Sequence, residues 1–397
     1  MALVDELWSG VVVSGVDSVE RELGLTHTRY VALVFSAPLV IAALLESVAS
    51  LASEAWGRKR VIVVGQGALA AALLYVGFSR DPWGLTLGLA LAGTASGVAC
   101  GAAQGVLVAA DPANVDRGLV RWALFAAIGD VLAPLVTATA IALGGSYRAA
   151  IVAVAAAVLC QCAVSACRID SPSVMAPGDG PDEPLEPLPS AMAGAMRRPR
   201  LWLWLVVAAT CTLLDELVVT LATVRAVRDL GITAALAAAV AVVFAIGSVV
   251  GASLGDRVVE RFGSRRVLLL SAAACVLSLA ALLECRGAIG LCVALAAVGV
   301  TCAPHHALAF ARAYDEVPGR PGVVQACAQL FVAVDVVAPL ALGWVADRFG
   351  ARIAIACLVA QPGVILVAAL LEVRRSSNVL RNNPRNGASH AHEFLRF

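Results

Sequence analysis

A seven-residue stretch occurs twice in this chain. Residues 129–135 read GDVLAPL and residues 334–340 read VDVVAPL. In each copy an aspartate precedes a proline by four residues. Within a helix that proline has no N–H for the carbonyl four residues back. Asp130 and Asp335 therefore each bring a carboxylate and a loosened backbone carbonyl, with Pro134 and Pro339 as candidate hinges. Both aspartates sit well inside long apolar segments, roughly 18–20 Å along a helix that rises 1.5 Å per residue. An ionised side chain at that depth in lipid costs about 2.5–3.5 kcal/mol, so it must face protein or a wet cavity. The chemistry open to it is carrying a proton or binding a cationic group. The plainer alternative is a carboxyl that fixes helix packing. The matched pair, each coupled to a proline, favours the first.

Other polar residues stand out against the same background. Asp215 and Glu216 fall near the middle of an apolar segment, and their DEL sequence is echoed by Asp5 and Glu6 close to Met1. Either the natural start lies upstream or the first segment is short, in which case Asp5 and Glu6 merely favour the positive end of a helix dipole. Neighbours on a helix point about 100° apart, so one acid of each pair faces a cavity and the other a neighbouring helix. Glu46 is a third cavity carboxylate or the partner of an arginine. His305 and His306 follow Pro304, a third candidate hinge. A histidine can relay protons near neutral pH, or simply sit hydrogen-bonded at a proline-loosened turn. Gln104 occupies the position that echoes His306, and Gln325 and Gln329 can hydrogen-bond a substrate or pack. The eleven cysteines form no CxxC, and Cys160 and Cys162 make a single CxC. They read as small apolar residues, with no metal site, disulfide or cofactor implied.

These residues need apolar elements to hold them. The chain has 397 residues, 60% of them hydrophobic and 14% charged. Soluble domains run at about 45–50% and about 25%, so this is an all-α polytopic membrane protein. A net charge of +1 carries no electrostatic footprint for nucleic acid. With about 20 apolar residues per span, twelve spans fit. They divide into a first bundle at 1–167, a Pro- and acid-rich linker at 168–200, a second bundle at 201–373 and a polar, disordered tail at 374–397. With both termini in the cytoplasm, inner loops hold 20 of the 29 Lys and Arg residues and outer loops hold 9, as the positive-inside rule asks. The halves repeat. WGRKRV at 56–61 is echoed by FGSRRV at 262–267, and GVAC at 97–100 by GVTC at 299–302, at offsets of 206 and 202. Parallel repeats of this kind place a binding site at mid-depth between the halves.

Two six-span halves, a long central loop and a Gly-Arg-Lys turn after the second span resemble the major facilitator superfamily over the whole chain. In that family the loop reads Gly-x-x-x-Asp-Arg-x-Gly-Arg-Lys/Arg. Here Glu54, Gly57, Arg58 and Lys59 carry the first copy, with serine, glutamate and alanine replacing three of the expected residues. Asp256, Arg257, Glu260, Arg261, Gly263, Arg265 and Arg266 carry the second. The resemblance implies that these loops latch the cytoplasmic side through charge pairs and helix ends. The loop at 343–352 reads as a tight turn that reuses the same chemistry. The resemblance further implies a monomeric secondary transporter of a small molecule, working by alternating access in a bacterial inner membrane. The excess of acids in the spans tilts the expectation toward proton antiport and export of a cationic or neutral compound. An importer of the same fold is the first alternative, and a non-transporting sensor or assembly protein on the same scaffold the second. No HExxH, Gly-x-Ser-x-Gly or nucleotide loop points to an enzyme.

Overall fold

Apolar runs this long satisfy their own backbone in lipid only as helices, and helices are what they form. The computed structural model describes residues 1–168 and 188–382. In chain order the helices are α1 Ala2–Ser14, α2 Val16–Leu23, α3 His27–Tyr30, α4 Ala37–Trp56, α5 Arg58–Phe78, α6 Pro82–Ala110, α7 Val115–Ala142, α8 Tyr147–Arg168 and α9 Leu188–Met196. There follow α10 Pro199–Arg228, α11 Ala234–Phe262, α12 Ser264–Glu284, α13 Ala288–Cys302, α14 His305–Glu316, α15 Pro321–Ala328, α16 Val332–Phe349, α17 Ala351–Cys357 and α18 Ala360–Asn382. A π-helical turn, Val31–Ser36, runs into α4, and a 3-10 turn, Gln329–Phe331, joins α15 to α16. Among the described residues, 11 segments are long and apolar enough to cross a membrane. With the 13-residue α1 as the shortest span, this is the expected all-α, twelve-span architecture.

The breaks have local causes. Pro304 supplies no N–H and crowds the residue before it, so α13 stops at Cys302 and α14 starts at His305. Pro362 likewise leaves the carbonyl of Leu358 without its donor four residues on, and the last span divides between α17 and α18. Pro134 and Pro339 lie inside α7 and α16, which continue through them.

The chain forms two compact units. The first comprises residues 1–205 and 311–336, the second 206–310 and 337–397. In the first, α1 lies along α7 because Gly10 meets Ala133 and Gly129 meets Leu3 and Glu6 with no room for a Cβ. Its core gathers Leu69, Leu73, Val76, Tyr147 and Ile151. In the second, Gly247 and Gly251 bring α11 against the backbone of α13, over a core containing Leu214, Leu279, Leu291 and Leu295.

Two stretches differ from expectation. The Arg168–Arg200 linker contains helix α9, whose alanine-rich sequence buries Ala191 and Ala195; residues 169–187 lie outside the described ones. The last helix runs to Asn382, past the expected start of the polar tail at 374, and residues 383–397 are again outside.

Candidate functional site

In the first unit the acids gather around α1. The Asp5 carboxylate accepts from Ser96 Oγ and, at 3.2 Å, from Trp8 Nε1. The buried Cys100 thiol neighbours both Asp5 and Ser96. Ser96 and Cys100 lie one turn apart on α6, so they present to α1 together. Glu46 on α4 is 9% exposed and packs on Gly97, where a Cβ would overlap its carboxylate. Asp5 and Gln329 are its polar neighbours. Glu6 lies over Gly129, the residue before Asp130. Asp130 itself is exposed and Asp335 is half-buried, four residues into α16. Asp5, Glu6, Glu46, Asp130, Asp335 and Gln329 thus share one unit.

In the second unit Asp215 Oδ1 lies 3.8 Å from Cys302 Sγ, and Glu216 beside it is exposed. The two histidines separate. His305 is 0% exposed. Its Nε2 is 3.1 Å from Ser271 Oγ and its Nδ1 is 3.1 Å from Gln361 Nε2. Gln361 also reaches Cys211 at 3.4 Å. The amide can donate to Nδ1 while Nε2–H donates to the serine, an arrangement that suits a neutral ring tying α12, α14 and α18. His306 is exposed, with its ring 4.7 Å from that of Phe310.

Gln104 and Gln325 meet through a residue that sequence reading passed over. Tyr314 Oη donates to Gln104 Oε1 at 2.9 Å, and Gln325 Nε2 donates to the same oxygen at 2.9 Å and to Tyr314 at 2.7 Å. Arg58 extends this clasp, donating to the carbonyls of Gly105 at 3.2 Å and Gly319 at 3.3 Å. Gly101 and Gly105 give Gln325 and Pro321 the space to approach α6.

The signature loops fold alike. Gly57, Gly263 and Gly350 have φ of +84°, +76° and +90°, a region that favours glycine. The loop at 343–352 is thus a third tight turn of the same make. In the second copy Arg257, Glu260 and Arg266 are exposed, Asp256 and Arg265 are half-buried, and Arg261 lies over the Phe262 ring at 5.6 Å. Lys59 is half-buried, and the side chain of Glu54 lies outside the described ones.

Two arginines stand at helix ends, and the first of them escaped the sequence reading. Arg225, 4% exposed, donates to the carbonyls of Leu282, Leu283 and Cys285 at the end of α12. Arg148 does the same at the end of α5, donating to Gly77 and Ser79 while pairing with Glu22 at 2.6 Å. A cation there answers the unpaired carbonyls and the negative end of the helix dipole.

Comparison with known proteins agrees with this architecture. The family model of the Major Facilitator Superfamily matches residues 7–331 and 208–393. The fucose:proton symporter of E. coli is 16% identical, with a TM-score of 0.73 over 93% of this chain and 97% of that one. A proton:xylose symporter solved with 6-bromo-6-deoxy-D-glucose is 12% identical, with a TM-score of 0.71 over 94% and 93%. The human organic anion transporter MFSD10 is 16% identical, with a TM-score of 0.66 over 93% and 96%. No curated protein matches the chain by sequence. The chain belongs to the Major Facilitator Superfamily.

Proposed function

We propose that this transporter-family protein is a proton-coupled exporter, exchanging protons for a cationic or neutral organic molecule by alternating access. It works as a monomer in a bacterial inner membrane with both termini in the cytoplasm. One observation carries the reading. Asp5 and Glu46 are electrostatic neighbours within the spans, and the side chains beside them, Ser96, Trp8, Cys100 and Gln329, are neutral. Carboxylates so placed attract a proton or an organic cation. A second reading, proton-driven import of a neutral polar compound, draws on the likeness in fold to the fucose and xylose symporters.

A thermal-shift screen of the purified protein at pH 6 and pH 8 separates the two. It compares cationic, neutral and anionic compounds on the parent and on Asp5→Asn, Glu46→Gln, Asp130→Asn and Asp335→Asn. A ligand at 100 times its dissociation constant stabilises by about 2.7 kcal/mol. Competition between protons and a cation predicts larger shifts at pH 8, abolished in whichever carboxylate variants form the site. Stabilisation by sugars alone, equal in parent and variants, would replace the exporter reading with the importer.

A further inference from the structure

Two independent echoes in the sequence converge in space. The DEL echo aligns Asp5 with Asp215, and the GVAC/GVTC echo aligns Cys100 with Cys302. In the first unit Cys100 lies on α6 one turn from Ser96, whose hydroxyl donates to Asp5, so the thiol neighbours the same carboxylate. In the second, Cys302 Sγ lies 3.8 Å from Asp215 Oδ1, across 87 residues of chain. Both thiols are buried, at 7% and 4% exposure. Filling space beside a helix crossing needs only an alanine. A thiol adds a weak donor and a weak acceptor on one atom. Facing a carboxylate, S–H donates to oxygen. When the carboxylate takes a proton from water, its new O–H can donate to sulfur. No proton leaves the thiol in either state, and the sulfur keeps a bond to the carboxyl in both.

We propose that Cys100 and Cys302 are positioning residues, holding the Asp5 and Asp215 carboxyls in one orientation through loading and release of a proton. This rests on the reading of span carboxylates as proton carriers. Other ionisable groups surround each couple. Glu46 on α4 and the Met1 amine face the Asp5–Cys100 couple. Glu216 and Cys211 on α10 and Cys275 on α12 face the Asp215–Cys302 couple. The couples are not equal. Asp5 also receives Ser96 and Trp8, whereas Cys302 is the one side-chain hydrogen bond found for Asp215 among the described residues. Loss of the thiol therefore matters more in the second unit.

The test uses the full chain in lipid nanodiscs, with the proton itself as probe. Infrared difference spectra between pH 5 and pH 8 resolve carboxyl and S–H stretching bands. The inference expects carboxyl and S–H bands to change together, with the Asp215–Cys302 part of both changes lost in Asp215→Asn. In Cys302→Ala the Cys302 S–H change vanishes and the Asp215 carboxyl midpoint moves to a proton concentration up to about fivefold lower, because the bond lost by the charged carboxylate is the stronger of the two. Cys302→Ser loses the S–H band but keeps the midpoint within about twofold, since a hydroxyl both donates and accepts. It carries the test should Cys302→Ala fail to fold. Cys100→Ala moves the midpoint by about twofold at most, because the other donors remain. A carboxyl band that Asp215→Asn removes, beside an S–H band that ignores pH, overturns the inference and leaves the proton reading standing. A carboxyl spectrum that Asp215→Asn leaves unchanged overturns the proton reading of Asp215 and the inference with it.

Discussion

At the scale of single residues, the Tyr314 hydroxyl bridges two amides of the first unit. It donates to Gln104 and accepts from Gln325, in surroundings that leave Tyr314 3% exposed. Tyr314→Phe keeps the ring and removes the bridge, so two amides lose a partner. Each unmade buried bond costs about 1–3 kcal/mol, and thermal unfolding of the purified protein should register a loss in that range. Residues that share a network are not additive. Combined with Gln104→Leu, the double variant should lose less than the sum of the singles by about 0.5–1.5 kcal/mol. Simple additivity would show that the hydroxyl ignores Gln104. Both glutamines were legible in the sequence, because polar side chains are conspicuous among apolar ones. Their meeting was not, since the Tyr314–Gln104 bond spans 210 residues. Arg225 was illegible for another reason. Nothing local separates it from Arg228 one turn later, yet Arg228 is exposed beside Asp347 while Arg225 is buried on three carbonyls. His305 and His306, adjacent and identical in type, were given one role and have two environments.

At the scale of elements, the same glycine logic runs through both units. Gly97 lets α6 lie against Glu46 of α4, and its echo Gly299 lets α13 lie against the backbone of α11 at Phe244 and Ser248. The repeat that linked GVAC to GVTC in the sequence is therefore a repeat of helix crossings. Gly251 sharpens the point, because a Cβ there would strike the backbone of Val300, which cannot swing aside. Gly251→Ala should destabilise by about 1–3 kcal/mol, the range for overpacking. Gly67, also within a helix, has nothing within 4 Å of its missing Cβ. Gly67→Ala should be neutral or stabilise by up to about 1 kcal/mol through helix propensity. Equal unfolding temperatures for the two variants would mean that α11 and α13 adjust freely. Spans were legible because length and hydropathy are one-dimensional properties. Breaks were legible only in part. Pro304 ends a helix as expected, whereas Pro134 and Pro339 do not, since a helix packed along its length can tolerate one missing bond. The division at Leu358–Val359 follows from Pro362, whose effect falls four residues upstream of where the eye looks for it.

At the scale of the whole molecule, the compact units and the sequence repeat do not share boundaries. Residues 311–336 come from the second repeat and belong to the first unit. Contacts across the repeats explain the exchange: the Gln104–Tyr314–Gln325 clasp, Arg58 on Gly319, and Arg200 of the linker with Glu316 at 3.6 Å. The exposed ion pair among them adds little, so the buried clasp carries most of the attachment. The Pro304 break seven residues before the segment and the 3-10 turn at Gln329–Phe331 within it interrupt the helical run, although its two ends lie inside α14 and α16. Its attachment should then be separable from the stability of the rest. In Tyr314→Phe combined with Gln325→Leu, amide hydrogen exchange within α15 should quicken by about tenfold or more, one factor of ten per 1.4 kcal/mol lost. Exchange within α12, which belongs wholly to the second unit, should stay at the parent rate. A uniform rise across both helices would mean that the clasp supports global stability and that residues 311–336 do not open on their own. A local rise would identify a segment able to leave α4 and α6 while both cores remain folded, as the proposed transport cycle requires of whatever closes one side.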